Sequence, residues 1–186
     1  NLSSAGSIPS IAAADVSGDT YYYLNGNFDL YTVTSINGGS QTNTLVKQAI
    51  GGDGVVGQFG DLAINGGSMF VSHGTSTPIL QRFNLSGTLQ ATYTFASDPR
   101  RYLGLAFDGG TLYGVAAVNP TSYQLFRLGF SGSTVTPTLV GQINLNGNAV
   151  LGLTDAASAV PLPAAAWLLL SGLAGMGFIG RRRKAA

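Results

Sequence analysis

Eight aspartates, one histidine and a large number of serines are the side chains here that could carry acid, base or nucleophilic chemistry; there is no cysteine and no glutamate. Glycoside hydrolysis would need two carboxyl groups flanking one bond. The candidates are Asp15, Asp19, Asp29, Asp53, Asp61, Asp98, Asp108 and Asp155. Several stand in turn positions, notably Asp108 in Asp-Gly-Gly, where an aspartate serves the local backbone. His73 follows a predicted strand in Val71-Ser72-His73-Gly74-Thr75 with no acid beside it in sequence, which makes it a poor general base and reads as a loop histidine. No Gly-x-Ser-x-Gly elbow supports a serine hydrolase. Gly51-Gly52-Asp53-Gly54 lacks the Lys-Ser/Thr of a phosphate loop, and the stretch from Asp15 to Asp19 lacks the spaced ligands and terminal Glu of a calcium loop. The missing cysteines exclude disulfides, thiolate metal sites and a cysteine nucleophile. The expectation is a protein with no catalytic site, no metal and no cofactor.

The elements that would position these residues are strands. Residues 1–155 hold short runs of Tyr, Phe, Val, Thr and Leu bounded by Gly, Asn, Asp and Ser, with no helix-period stretch of convincing length. Leu62-Ala63-Ile64-Asn65-Gly66-Gly67-Ser68-Met69-Phe70 matches Leu105-Ala106-Phe107-Asp108-Gly109-Gly110-Thr111-Leu112-Tyr113, 43 residues on. The match continues from Gln81-Arg82-Phe83-Asn84-Leu85-Ser86-Gly87-Thr88 to Phe126-Arg127-Leu128-Gly129-Phe130-Ser131-Gly132-Ser133. A weaker copy starts at Val16-Ser17-Gly18-Asp19-Thr20-Tyr21-Tyr22 and runs into Leu30-Tyr31-Thr32-Val33; a fragment, Leu151-Gly152-Leu153, echoes Leu103-Gly104-Leu105. In each copy a strand leads through an Asn/Asp-Gly turn into a second strand. A period of about 45 residues with four short strands per unit is the spacing of β-propeller blades. The stretch Gly104-Leu105-Ala106-Phe107-Asp108-Gly109-Gly110-Thr111-Leu112-Tyr113-Gly114-Val115 with Leu125-Phe126-Arg127-Leu128 resembles the generic blade of many secreted propellers. The expected fold is all-β, with about three propeller-like blades of four-stranded antiparallel sheet and a C-terminal transmembrane helix. Three blades and a fragment are too few to close a ring of the usual size, so further blades and a signal peptide are expected upstream.

Composition narrows the setting. A chain of 186 residues has room for one medium domain and a tail. Only 9% of its residues are charged, against roughly 25% in typical soluble domains. The net charge of +1 hides an asymmetry, because four of the nine basic residues stand together at the C-terminus. Residues 1–155 carry five basic residues against eight aspartates, a balance of −3, which leaves no basic footprint for nucleic acid.

The tail has the clearest chemistry. No charge interrupts residues 156–180, and residues 163–180 are dominated by Ala, Leu, Gly, Trp, Phe, Ile and Met. As a helix, residues 163–180 would span about 27 Å, close to the roughly 30 Å of a bilayer core. Pro163 suits a first helical turn, and Trp167 lies where indoles prefer the interface. Arg181, Arg182, Arg183 and Lys184 would then stop transfer and stay cytoplasmic, leaving the domain outside. Pro161 and Pro163 keep the preceding segment extended, an accessible strand for an active site.

The run Val160-Pro161-Leu162-Pro163-Ala164-Ala165-Ala166-Trp167, followed by a glycine-rich apolar stretch and the basic cluster, closely resembles the PEP-CTERM sorting signal in its VPLPA-type variant. Leu162 stands where the family's namesake has Glu between two prolines. The resemblance covers residues 160–186 alone. It implies recognition and cleavage near Val160, Pro161, Leu162, Pro163 and Ala164 by an exosortase, a membrane-embedded cysteine transpeptidase of Gram-negative bacteria. It also implies an association with exopolysaccharide, biofilm or floc. The division read from the sequence is an exported β-repeat domain over 1–155, a linker and sorting motif over 156–162, a transmembrane helix over 163–180 and a basic cytoplasmic tail over 181–186. The leading expectation is a non-enzymatic surface protein, held first in the inner membrane and then released to the cell surface or extracellular matrix. Two alternatives remain at this level: a polysaccharide-active surface enzyme whose catalytic residues lie upstream, and a permanently anchored single-pass envelope protein.

Overall fold

The computed structural model describes residues 11–38, 40–50, 59–73, 77–119, 122–145 and 148–149. These residues are all-β, without a helix, in three consecutive four-stranded antiparallel meanders. The first comprises β1 (Ile11–Ser17), β2 (Thr20–Asn25), β3 (Leu30–Thr34) and β4 (Thr42–Lys47). The second comprises β5 (Phe59–Asn65), β6 (Ser68–His73), β7 (Ile79–Asn84) and β8 (Leu89–Phe95). The third comprises β9 (Tyr102–Asp108), β10 (Thr111–Asn119), β11 (Ser122–Ser131) and β12 (Thr134–Leu145), with a short β13 (Asn148–Ala149) paired to the end of β12.

Local chemistry explains the turns. Gly66 and Gly67, like Gly109 and Gly110, have positive φ at both loop positions, as a two-residue type I′ hairpin demands. The two turns join β5 to β6 and β9 to β10, the strands carrying the matched stretches 62–70 and 105–113. Stretches 81–88 and 126–133 likewise occupy the third strand and following turn of their units. After β7, the Asn84 side-chain oxygen accepts from the Ser86 and Thr88 backbone N–H groups at 3.2 and 2.8 Å. Asn25 does the same after β2, accepting from Asn27 and Asp29 at 2.9 Å each.

The strand period of two then sets the packing. Leu62, Ile64, Met69, Val71 and Phe83 point to the first meander and meet Ala13, Leu24, Leu30 and Ile50. Their neighbours Ala63 and Leu80 point the other way, to Leu105, Leu112, Phe126, Leu128 and Val135. Strands β5 and β6 and part of β7 are therefore packed on both faces, whereas β8, at the edge of the second meander, is largely exposed. The first strand of each meander lies against the first strand of the next. Asp15 of β1 accepts from the Ile64 N–H at 2.7 Å, and Asp61 of β5 accepts from the Leu105 N–H at 2.7 Å. The last strand of each meander meets the final turn of the next. Lys47 donates to the Gly87 carbonyl at 3.1 Å, and the Thr94 N–H donates to the Ser133 carbonyl at 3.0 Å. The second of these contacts grows into a short parallel pairing of β8 with β12, so the hydrogen-bonded path runs β5-β6-β7-β8-β12-β11-β10-β9 while β1 to β4 form their own sheet. The fragment at Leu151, the apolar segment 163–180 and the basic cluster lie outside the described residues.

Gly60 shows how tightly the second and third meanders meet. A Cβ there would collide with the Ser72 hydroxyl and the Tyr102 backbone carbonyl, which are already hydrogen-bonded to each other at 2.8 Å. Gly60→Ala is expected to cost roughly 1–3 kcal/mol through overpacking. Gly129→Ala, whose Cβ would meet only Thr136 O at 3.6 Å, should change stability by less than about 0.5 kcal/mol. Urea unfolding midpoints of the two variants measure the difference, and equal midpoints would contradict the packing described.

Candidate functional site

The connection from β8 to β9 holds a polar cluster that includes an ion pair. It reads Asp98-Pro99-Arg100-Arg101-Tyr102. Proline keeps the chain from pairing as a strand, and the aspartate before it turns the backbone back: Asp98 Oδ1 accepts from the Arg100 N–H at 3.0 Å. The same carboxylate takes the Arg100 guanidinium in a two-pronged grip, Nε to Oδ1 at 2.7 Å and Nη2 to Oδ2 at 2.9 Å. The Tyr102 hydroxyl completes it, donating to Oδ2 at 2.7 Å. Below, the Tyr102 ring stacks on Phe95 at 4.6 Å between centroids, and the Arg100 guanidinium lies 4.2 Å over the Phe126 ring.

Burial of Asp98 would raise its pKa, but the hydrogen bonds from Arg100 and Tyr102 and the adjacent positive charge outweigh that, leaving it below the usual carboxylate range. The bond to Asp98 pushes Arg100 up, while burial and then Asp98 push Tyr102 up. With four donors on its oxygens, Asp98 is an anchor and a poor proton carrier. Two open depressions flank Pro99, of about 420 Å³ beside Thr77, Phe95 and Asp98 and about 410 Å³ beside Arg101, Leu103 and Val118. Both lie within the range of small-ligand sites, at its lower end.

The aspartates considered from sequence are mostly backbone ligands. Asp15, Asp19, Asp29, Asp61 and Asp98 each accept at least one backbone N–H. Asp108 is exposed beside its turn. Asp53 and Asp155 lie outside the described residues, as do Val160, Pro161, Leu162, Pro163, Ala164, Arg181, Arg182, Arg183 and Lys184. Among the described residues no group of three or more His, Asp or Glu side chains could hold a metal ion.

His73 corrects its reading as a loop residue. It is the last residue of β6 and only 2% exposed, because its ring stacks on Phe28 of the first meander, 5.1 Å between centroids. Neither ring nitrogen has a hydrogen-bond partner, nor has the buried side-chain oxygen of Gln81. Burial holds its pKa below the histidine range, and the neighbouring Gln81 amide offsets only a fraction of that.

Sequence reasoning missed Asp98, Arg100, Arg101 and Tyr102 as a cluster. A signal was present: two of the five basic residues before position 156 are adjacent and follow Asp-Pro.

No family model and no curated protein sequence matches the chain. Among solved structures it is similar to the computationally designed Ika4 protein, at 13% identity over 78% of this chain and 79% of that one, with a TM-score of 0.45. At that score the likeness carries no argument on fold or function.

The state of His73 makes stability depend on pH. In the unfolded chain the imidazole takes up a proton near its ordinary value of 6.5, whereas the folded protein binds that proton only at lower pH. Stability contributed by the neutral ring is therefore complete above pH 6.5 and lost as pH falls from there toward the folded value, with a slope of up to about 1.4 kcal/mol per pH unit. The loss from Asp98, whose pKa lies below 3.8, falls in a separate, more acidic window. Urea midpoints measured from pH 7.5 to pH 5 should fall in the wild type and stay flatter in His73→Phe; equal slopes would exclude His73 as the cause.

Proposed function

We propose that this chain is an exported bacterial surface protein whose C-terminal segment is a PEP-CTERM-type sorting signal read and cut by an exosortase, and whose β-repeat domain has a non-catalytic structural or binding role in the extracellular matrix or biofilm. The observation that carries this reading is the order of segments in the tail: Val160-Pro161-Leu162-Pro163-Ala164, an uncharged span to Gly180, then Arg181, Arg182, Arg183 and Lys184. Each segment has a physical task. The prolines hold an extended strand outside the membrane, the apolar span crosses it, and the cations stop transfer on the cytoplasmic side. Extracellular polysaccharide is the partner class that the resemblance implies.

The three meanders are read as successive blades of a β-propeller. Supporting this, the relation between the first and second recurs between the second and third: an inner-strand carboxylate on the next inner strand's amide, and an outer-strand end on the next unit's last turn. A relation that repeats from unit to unit closes into a ring where its rotation divides a full turn, as in propellers.

Intact mass and C-terminal peptide mapping of the protein recovered from its native host test the sorting reading. Loss of everything beyond the 160–164 motif is expected, and Pro161→Ala combined with Pro163→Ala should leave the chain uncut. A wild-type chain that still ends in Ala186 in the inner-membrane fraction would leave a simple membrane anchor.

A further inference from the structure

We propose that Arg101, together with the depression between the β8–β9 connection and strands β9 and β10, forms a binding site for a monocarboxylate carried on a small, partly apolar body. The inference stands on the β-repeat domain alone and does not depend on how the tail is processed.

The other basic side chains of the described domain are accounted for. Lys47 donates to the Gly87 carbonyl, Arg82 to the Gln90 side chain, and Arg100 is gripped by Asp98, while Arg127 is exposed to water. Arg101 differs. Its Nε is buried and has no hydrogen-bond partner, although the residue borders an open depression of about 410 Å³. A buried donor on a permanently charged group is costly to leave unmade, so the Arg101 side chain gains by turning its Nε toward an acceptor placed in the depression that the residue borders.

The lining sets the chemistry of the acceptor. Arg100 shares the depression, but its charge is matched by Asp98, so the site offers a single uncompensated positive charge. A carboxylate balances that charge and fits the planar guanidinium edge, whereas a phosphate dianion would leave a negative charge over. Pro99, Leu103, Ala117 and Val118 supply the remaining wall, which is apolar and suits the hydrocarbon portion of the ligand. Asp98 holds Arg100 and the loop backbone in place, so the pocket is shaped before a ligand arrives.

The full chain in zwitterionic detergent micelles, titrated with cyclohexanecarboxylate while the arginine Nε–Hε resonances are followed by NMR, tests the site. The Arg101 resonance should shift saturably with a Kd on the order of 1 mM, while the Arg82 and Arg127 resonances stay in place. Acetate, lacking the apolar body, should bind more weakly, and the neutral cyclohexanecarboxamide and inorganic phosphate should produce no saturable shift. With the Leu103 and Val118 methyl resonances as the reporter, Arg101→Gln should abolish binding with an unchanged melting temperature. Arg101→Lys, which keeps the charge and loses the fork, should weaken it by about tenfold or more. Val118→Asp, which sets a carboxylate in the pocket wall, should block it. Absence of a saturable Arg101 shift up to about 50 mM ligand, equal binding by the neutral amide, or binding retained in Arg101→Gln or Val118→Asp would each overturn the proposal.

Discussion

The hydrogen bond from the Leu105 backbone to Asp61 marks the constraint on which the architecture depends. A first strand such as β5 or β9 pairs along one edge only, and it packs against the first strand of the preceding meander, so amides on its free edge are shut off from water there. Asp61 is only 2% exposed and presents a carboxyl oxygen as acceptor to that edge. Removing it would leave a buried amide without its partner, at a cost of about 1–3 kcal/mol. Asp15 has the same role in the preceding unit, on Ile64. These carboxylates, attractive at first sight as catalytic groups, are held by the backbone they satisfy.

The first strands of successive meanders are joined by side-chain links in place of a continuous ladder. The first two strands of the middle sheet must pack on both faces, and each connection between units returns from the last strand of one meander to the first strand of the next. At the return from β8 to β9 the chain has only residues 96–101 in which to reverse course. Asp98 solves this locally, taking the backbone and side chain of Arg100 and the hydroxyl of Tyr102 on one carboxylate. The arginine left over, Arg101, borders a depression and keeps a buried Nε without a partner. Positioning and recognition are thus divided between adjacent arginines by the reach of one aspartate.

Much of the fold was legible because strand alternation and tight turns are local. Asn65-Gly66-Gly67 and Asp108-Gly109-Gly110 demand positive φ, and the apolar runs around them repeat at one spacing, so the hairpins and their equivalence could be read from residue order. His73 was not legible. Nothing in Val71-Ser72-His73-Gly74 says that Phe28, from a strand connection 45 residues earlier, will cover the ring. The Asp98 cluster was half legible: the Asp-Pro-Arg turn is local, whereas the stacking on Phe95 and Phe126 joins separate strands.

By itself the sequence determined the strand content, the repeat of about 45 residues and the order of proline motif, apolar span and basic cluster in the tail. All three depend on residue type and spacing along the chain, which are one-dimensional properties. Only the tertiary structure decided which aspartates serve the backbone, which histidine is buried neutral and which arginine keeps a free, buried donor. The physical reason is that solvation and hydrogen-bond satisfaction are set by what lies across the interface, and those neighbours come from strands 40 to 50 residues away, as Asp15 to Ile64 and Asp61 to Leu105 show.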